Sequence, residues 1–306
     1  MAVFLMEKQG VQLTDKCLEV RDMFFIIQQE TIGRDPVQNA IVMDVISHNR
    51  YSHSYELMSS MDYYKEFNDE ETFSMQMIRK TPEDFDERFQ NAIPIGTVRF
   101  IEQYLQTFKG IERDNAIEVP PVLRTDEFLK RKYSIVTRDA IPRTGEFFIK
   151  DATQQKLFSY KGDLEFFLND EMFREKTNEF DSSLRLDPDH LYQVSEIVHI
   201  LAEYRVYVLG KEINSMCVFA GNPLIFPDAD LIKKAVKLIN AQPDSPRSYS
   251  LDVMVTPRGT AITEVHNFLG VGLYMVDWDE ELLYAYKHGM DYVMKHNVAQ
   301  TEFSNF

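Results

Sequence analysis

Apolar residues follow two different periods along the chain, and together these periods predict a mixture of helices and strands. Apolar positions three and four apart predict a helix after Thr97, which we expect to be its N-cap, and a second helix over Asp230–Ile239. A third helical pattern runs from about Glu280 to His296, followed by a polar tail that we expect to be loosely ordered. Segments rich in β-branched and aromatic residues lie between these helices and predict strands.

The predicted strands form two groups. In the first group, Tyr133–Thr137 and Glu146–Lys150 predict a small antiparallel sheet. The second group begins with a strand-like segment over Tyr192–Ile200 and continues with Glu203–Leu209, after which Gly210 is typical of a hairpin turn. It ends with two strands around 249–255 and 261–265, which are joined by a proline- and glycine-containing turn.

The length of the chain and one proline-rich stretch predict three parts. A chain of 306 residues is longer than most single hydrophobic cores. The stretch Val119-Pro120-Pro121-Val122 cannot continue a helix, because proline lacks a backbone donor and restricts the residue before it. We therefore place a linker there and expect parts at residues 1–118, 119–190 and 191–306.

Composition removes several classes of function. The formal charge of −16 would repel a polyanion, so nonspecific binding of nucleic acid is not expected. Cys17 and Cys217 are the only cysteines, which argues against a disulfide scaffold or a clustered cysteine metal site. No window approaches the roughly 18 apolar residues of a membrane span, and Met1–Lys8 lacks the pattern of a signal peptide. We therefore expect a cytoplasmic protein without a membrane partner.

Two carboxylates in the last pair of strands are the first candidates for chemistry. Asp252 and Glu264 lie on strands joined by a tight turn, so their side chains could share a face. Like charges at close range are unfavourable without a cation, and Mg²⁺ prefers such oxygen ligands. His266 lies two residues beyond Glu264 and could be a third ligand or a phosphate donor. The alternatives are that the carboxylates point to solvent and that His266 is an ordinary packed histidine.

Three cations supply a possible opposite charge. Lys150 ends an apolar strand, Lys156 follows six residues later, and Arg205 lies within an apolar strand. An ammonium at a strand end can meet a phosphate, and a guanidinium can bind one with two hydrogen bonds. A buried Arg205 would need an anionic partner, which Glu203 or a phosphate could supply. Each of the three could instead be an exposed charge.

The order of these segments resembles the ATP-grasp superfamily, in particular a divergent branch found in bacterial and phage genomes. The resemblance covers about residues 92–278 and is carried by five segments in the expected order: Phe148-Ile149-Lys150, Val194–Val198, Glu203–Val208, Ser250–Val253 and Glu264–Asn267. It implies an α+β (α/β) ATP-grasp fold in which two α+β lobes clamp a nucleotide. Residues 1–118 would be an N-terminal α/β pre-grasp domain, 119–190 the small lobe, and 191–306 the C-terminal lobe with the metal site.

The resemblance also implies roles for the candidate residues. Lys150 and Lys156 would contact phosphates, and Arg205, with Glu203 nearby, would face the phosphates or an acyl-phosphate intermediate. Lys150 and Arg205 are thus the catalytic candidates. The hinge residues Glu196, Ile197 and Val198 would present backbone groups to adenine, while Asp252 and Glu264 would bind the metal.

The last motif departs from the family pattern. The family usually has Glu-any-Asn, whereas this chain has His266 at the position of the asparagine and Asn267 one residue later. The third metal ligand therefore stays open between His266 and Asn267. The departure is also compatible with altered metal preference or lost activity.

The function implied by the resemblance is an ATP-dependent carboxylate–amine ligase. ATP and Mg²⁺, or Mn²⁺ in its place, would be the cofactors. The substrates would be a carboxylate and an amine, as small molecules or peptides. Two alternatives are a phosphotransferase on the same fold and a catalytically silent ATP-binding or interaction protein, such as a phage accessory factor.

Overall fold

The computed structural model describes residues 23–29, 36–48, 54–69, 74–111, 119–142, 144–152, 159–163, 191–274 and 281–303. The strands, in chain order, are β1 (Phe24–Gln28), β2 (Ser54–Met58), β3 (Tyr64–Asp69), β4 (Ser74–Arg79), β5 (Ile93–Ile95), β6 (Tyr133–Thr137), β7 (Glu146–Asp151), β8 (Ser159–Asp163), β9 (Leu191–Glu196), β10 (Ala202–Leu209), β11 (Glu212–Gly221), β12 (Tyr249–Thr256) and β13 (Gly259–Asn267). The helices are α1 (Pro36–His48), α2 (Val98–Lys109), α3 (Asp126–Leu129), α4 (Ala229–Asn240) and α5 (Glu281–Phe303). Of these helices, none has the length and hydropathy needed to cross a lipid bilayer.

The first sheet is parallel, in the order β2-β1-β5, and β3 and β4 form a separate hairpin. Every residue of β1 is buried, as expected for a parallel strand covered on both faces. Phe25 and Ile27 share a core with α1, while Ile26 on the other face shares one with α2. The predicted cap of α2 is confirmed, because the hydroxyl of Thr97 accepts a hydrogen bond from the backbone N–H of Phe100 at 3.3 Å.

The second sheet is antiparallel, in the order β6-β9-β7-β8, and has a small core that includes Ile149 and Val194. The predicted small sheet is confirmed, but β9 lies in its centre. The boundary predicted at residue 190 therefore cuts this sheet between β8 and β9, and sheet membership favours a boundary after Glu196. The strand predicted over Tyr192–Ile200 also ends at Glu196, because residues 197–200 connect to the next sheet, where Leu201 bonds to Val255 at 2.8 Å.

The third sheet is antiparallel, in the order β11-β10-β12-β13, and carries the site. One face packs against α4 and against residues 119–129, so that Val119 and Phe128 belong to this core although we predicted them in the small lobe. The predicted hairpin between β10 and β11 is confirmed: Gly210 and Lys211 both have positive φ, at 57° and 76°, which is typical of a two-residue type I′ turn. The last helix extends to Phe303 rather than ending at His296.

Replacing Leu251 with alanine is expected to lower the free energy of unfolding by about 2–5 kcal/mol, because truncation leaves a cavity between the third sheet and α4. Leu224→Ala is the matched control, since Leu224 is 80% exposed, and it should change the free energy by less than about 0.5 kcal/mol. Denaturant unfolding followed by circular dichroism measures both values. Equal effects of the two substitutions would contradict the placement of Leu251 in the core.

Candidate functional site

A cleft of about 620 Å³ lies between the second and third sheets. Its second-sheet wall includes Lys150 of β7 and the buried polar side chains of Gln193 and Ser195 on β9. Its third-sheet wall includes Met254 and Glu264. The connecting segment, residues 197–200, closes one side through Ile197, Val198 and Ile200. The cleft is therefore apolar along the connecting segment and charged where β7 faces β13.

Charged side chains form a row across three neighbouring strands of the third sheet. Arg205 on β10 is directly opposite Asp252 on β12, and Asp252 is directly opposite Glu264 on β13. Directly opposed residues of an antiparallel pair lie on the same face. The row lies on the face that is turned away from α4, since Val206, Leu251 and Val265 occupy the other face.

A β-bulge makes this row. From Thr256 to Val253, β12 pairs with β13 in the regular register of a two-residue hairpin, but Asp252 then pairs with Glu264 and Thr263 is left without an opposed residue. In an unbroken register Glu264 would be opposite Leu251 and would point into the core with α4. The extra residue moves Glu264 to the face of Asp252.

Arg205 and Asp252 form a nearly buried ion pair with side-chain exposures of 11% and 9%. The Arg205 Nε and Nη2 atoms donate to the two carboxylate oxygens at 2.7 and 2.8 Å, and Nη1 donates to the backbone oxygen of Gly272 at 3.2 Å. Burial acts to lower the pKa of Arg205, but the hydrogen bonds and charge of Asp252 outweigh it and hold that pKa above its ordinary value.

This pair corrects the partner predicted for Arg205. Glu203 lies on the same strand, whereas the opposed position on β12 brings Asp252 within reach of both ends of the guanidinium group. Glu203 instead lines the cleft, where burial and then the charge of Asp252 raise its pKa.

Asp252, Glu264 and His266 could hold a divalent metal ion. One candidate ligand atom from each lies within 4.8 Å of the others, and His266 Nε2 is 2.9 Å from Glu264 Oε2 and 4.0 Å from Asp252 Oδ2. Two carboxylates and an imidazole nitrogen suit Mg²⁺ or Mn²⁺. Asn267 is not in this group, because its side chain is buried and its Oδ1 accepts a hydrogen bond from Leu269 N at 3.0 Å. The donor set thus fits an ion with His266, rather than Asn267, beside the two acids.

Lys150 reaches this group from the opposite sheet. Its Nζ atom lies 3.1 Å from Glu264 Oε1, and the two side chains are 13% and 20% exposed. The structure therefore brings Lys150 to the predicted site. Lys156, the second predicted phosphate ligand, lies outside the described residues.

The side chain of Glu196 is used for an ion pair at the edge of the cleft. Its two carboxylate oxygens accept hydrogen bonds from Nη2 and Nη1 of Arg258 at 2.7 and 2.9 Å, and Lys132 N donates a further bond at 3.3 Å. The hydrogen bond from Arg258 is the main reason that the pKa of Glu196 is lowered to about 2. Arg258 lies in the turn between β12 and β13, so this pair ties the connecting segment to the strands that carry Asp252 and Glu264.

Arg131 lines the cleft and was missed by the sequence reasoning. It is 8% exposed, and its Nη1 donates to the backbone oxygens of Leu129 and Ile262 at 3.1 and 2.9 Å. No carboxylate among the described residues forms an ion pair with it, and burial lowers its pKa. The cluster of three basic residues at 130–132, immediately before β6, was a signal that could have identified it.

The chain resembles known proteins in sequence and in fold. Residues 128–282 match a family model of the ATP-grasp domain, the second family within its clade. No curated protein sequence matches the chain.

Among solved structures, the D-alanine–D-alanine ligase of Bacillus anthracis complexed with ATP is similar, with 11% identity, coverage of 92% of this chain and 98% of that chain, and a TM-score of 0.46. The RimK domain ATP-grasp protein of Sphaerobacter thermophilus has 11% identity, coverage of 88% and 99%, and a TM-score of 0.46. The ATP-grasp ligase PsnB complexed with its minimal precursor has 12% identity, coverage of 88% and 99%, and a TM-score of 0.43.

The segment that matches the family model spans half of the chain, from α3 to the start of α5. It contains the second and third sheets, the connecting segment and the charged row. The predicted α+β ATP-grasp fold is confirmed, and this chain belongs to that family of ATP-grasp domain proteins.

Proposed function

We propose that this chain is an ATP-dependent ligase that phosphorylates a carboxylate and then joins it to an amine. In this reaction the substrate carboxylate attacks the γ-phosphate to give an acyl phosphate and ADP, and the amine then displaces inorganic phosphate. The observation that carries the proposal is the row of Arg205, Asp252 and Glu264 beside His266, with Lys150 facing it across the cleft. Family membership makes ATP the expected nucleotide.

The connecting segment would bind the adenine. Ile197, Val198 and Ile200 give that side of the cleft an apolar wall, and the backbone groups of 197 and 198 are available for hydrogen bonds because β9 ends at Glu196. The bond between Glu196 and Arg258 would hold this segment in place. We also propose that the small lobe ends here, after Glu196, rather than at residue 190.

Lys150 and Arg131 would bind the phosphates. Both line the cleft, and both are largely buried. The guanidinium of Arg131 has no carboxylate partner within the described chain, so a phosphate would supply the counter-charge that a buried cation needs. Lys156 is a further candidate by its position in the sequence.

Asp252, Glu264 and His266 would hold the metal, and Arg205 would keep Asp252 ionised and correctly directed. Bound ATP would supply the phosphoryl group, and bound Mg²⁺ or Mn²⁺ would neutralise charge on its oxygens. Phosphoryl transfer depends on positioning and charge neutralisation more than on proton transfer, which suits a site built from ion pairs.

Asp252→Asn and Glu264→Gln are each expected to reduce ATP turnover at least about 100-fold, because each removes one anionic ligand at the reacting centre. Turnover is measured as Mg²⁺-dependent release of ADP in the presence of pooled amino acids and short peptides. Asp230→Asn is the matched control, since Asp230 is exposed on α4 and remote from the cleft, and its turnover should equal that of the wild type. Full activity in both site variants would disprove the assignment.

The products identify the class of reaction. A ligase converts ATP to ADP and inorganic phosphate with an amide, and ¹⁸O from a labelled substrate carboxylate appears in the phosphate. A phosphotransferase gives ADP and a stable phosphorylated product instead. Nucleotide binding without ADP release from any member of the panel would favour a silent binding protein.

Arg131→Met is expected to weaken the binding of Mg²⁺-ATP about 10- to 100-fold, because a charge-assisted hydrogen bond to phosphate is lost. Calorimetric titration with a non-hydrolysable ATP analogue measures the affinity. Arg131→Lys keeps the charge and should give an intermediate value, while Arg99→Met changes an exposed arginine on α2 and should have no effect. Unchanged affinity in a folded Arg131→Met protein would contradict this role.

Arg258→Gln is expected to move the pKa of Glu196 from about 2 toward its ordinary value of about 4.3. The sign follows from the lowered pKa in the folded state: the stabilisation by this pair is present above about pH 4.3 and is lost as the pH falls toward 2. Carboxyl ¹³C NMR titration of the wild type and the variant measures the shift. If the pKa of Glu196 were the same in both proteins, the ion pair would not exist in solution.

A further inference from the structure

Both carboxylates of the candidate metal group are already paired with a cation. Asp252 accepts two hydrogen bonds from Arg205 at 2.7 and 2.8 Å, and Glu264 lies 3.1 Å from the ammonium of Lys150. Two negative and two positive side chains cancel in formal charge. A divalent ion that enters this cluster alone therefore meets carboxylates whose charge is already neutralised.

Entry of a lone ion is unfavourable for a second reason. The ion must displace a cation from its carboxylate or remain within a few ångströms of it. Displacement leaves a mostly buried ammonium or guanidinium without a counter-charge, and proximity brings like charges together in a medium that screens them poorly. The cluster thus favours the cations over a free metal ion.

The two cations differ in how firmly they are held. Arg205 makes two bonds to Asp252 and a third to the Gly272 backbone oxygen, and its guanidinium lies 5.7 and 5.2 Å from the ring centroids of Phe219 and Tyr274. The contact to Glu264 is the polar contact that the structure gives for Lys150, and both side chains line the cleft. Lys150 can therefore turn from Glu264 to an anion in the cleft without leaving it, whereas Arg205 is fixed.

We infer that Lys150 competes with the metal ion for Glu264, so that the ion binds well only when a nucleotide phosphate draws Lys150 away. This inference rests on the proposed function, because it takes the cleft to be the nucleotide site. Lys150 then couples the two binding events, and by linkage the metal must strengthen nucleotide binding by the same factor. The site stays closed to free divalent ions until the nucleotide is present.

The test is the affinity for Mn²⁺ without nucleotide, measured from the electron paramagnetic resonance signal of the free ion. Lys150→Met should bind Mn²⁺ about tenfold more tightly than the wild type, because Glu264 is released. Lys150→Gln should change the affinity in the same direction and guards against a fold defect in one variant. Lys161→Met removes another lysine of the cleft, which lies on the edge strand β8, and should raise the affinity far less.

Two further measurements complete the test. Adding a non-hydrolysable ATP analogue should raise Mn²⁺ affinity about tenfold or more in the wild type, after correction for Mn²⁺ chelated by the analogue in solution, and much less in Lys150→Met. Glu264→Gln placed in the Lys150→Met background should abolish the gain in affinity for free Mn²⁺. That loss would assign the gain to Glu264 rather than to a general change in charge.

The results that overturn the inference differ from those that overturn the proposed function. If Lys150→Met bound free Mn²⁺ no better than the wild type, while the wild type still required nucleotide, Lys150 would not be the competitor. If the wild type bound Mn²⁺ equally well with and without nucleotide, there would be no coupling. If no protein bound Mn²⁺ even with nucleotide, the proposed metal site would fail and this inference with it.

Discussion

Two carboxylates on neighbouring strands repel each other, and the site depends on how that repulsion is offset. Asp252 and Glu264 are directly opposed on β12 and β13, where low exposure to water makes unpaired charge unfavourable. Arg205 supplies the counter-charge within the sheet, and Lys150 supplies it from the second sheet. The ion pair between Lys150 and Glu264 is therefore also a contact between the two walls of the cleft.

The third sheet can hold such charges because its two faces have separate tasks. β12 is buried along its whole length, with Leu251 and Val253 in the core against α4 and Asp252 on the opposite face. A central strand covered on both faces is rigid, which suits side chains that must keep a fixed distance. Farther along the site face, Tyr207 and Leu209 pack into the core shared with the first sheet and α5, so the charged row lies between a packed end and an open cleft.

The sequence predicted the elements of the third sheet well, because its hairpins have strong turn signals and its strands have a clear period. It also brought Asp252 and Glu264 to neighbouring strands. It could not predict their shared face, which depends on the bulge at Thr263 and so on a single residue of register. The pairing of Arg205 with Asp252 was missed for a related reason: partners on different strands follow from strand order, β10 beside β12, and that order is not contained in local pattern. Arg131 was missed because burial, not residue type, distinguishes it from the lysines on either side.

The same register argument decides between the two residues at the end of the last motif. Side chains of a regular strand alternate between faces, so the position two residues after Glu264 shares its face and the next position does not. His266 occupies the first of these and contacts Glu264, whereas Asn267 is buried on the other side and its amide oxygen holds the backbone at Leu269. Asn267 could reach the acids only if a second extra residue shifted the strand again, and that shift would break the hydrogen bond that orders the chain after β13. The imidazole of His266 therefore takes the place that the family pattern gives to an asparagine, and the donor set changes from three oxygens to two oxygens and one nitrogen. A nitrogen ligand suits Mn²⁺ better than it suits Mg²⁺, so the departure in sequence bears on the choice of metal rather than on whether a metal can be held.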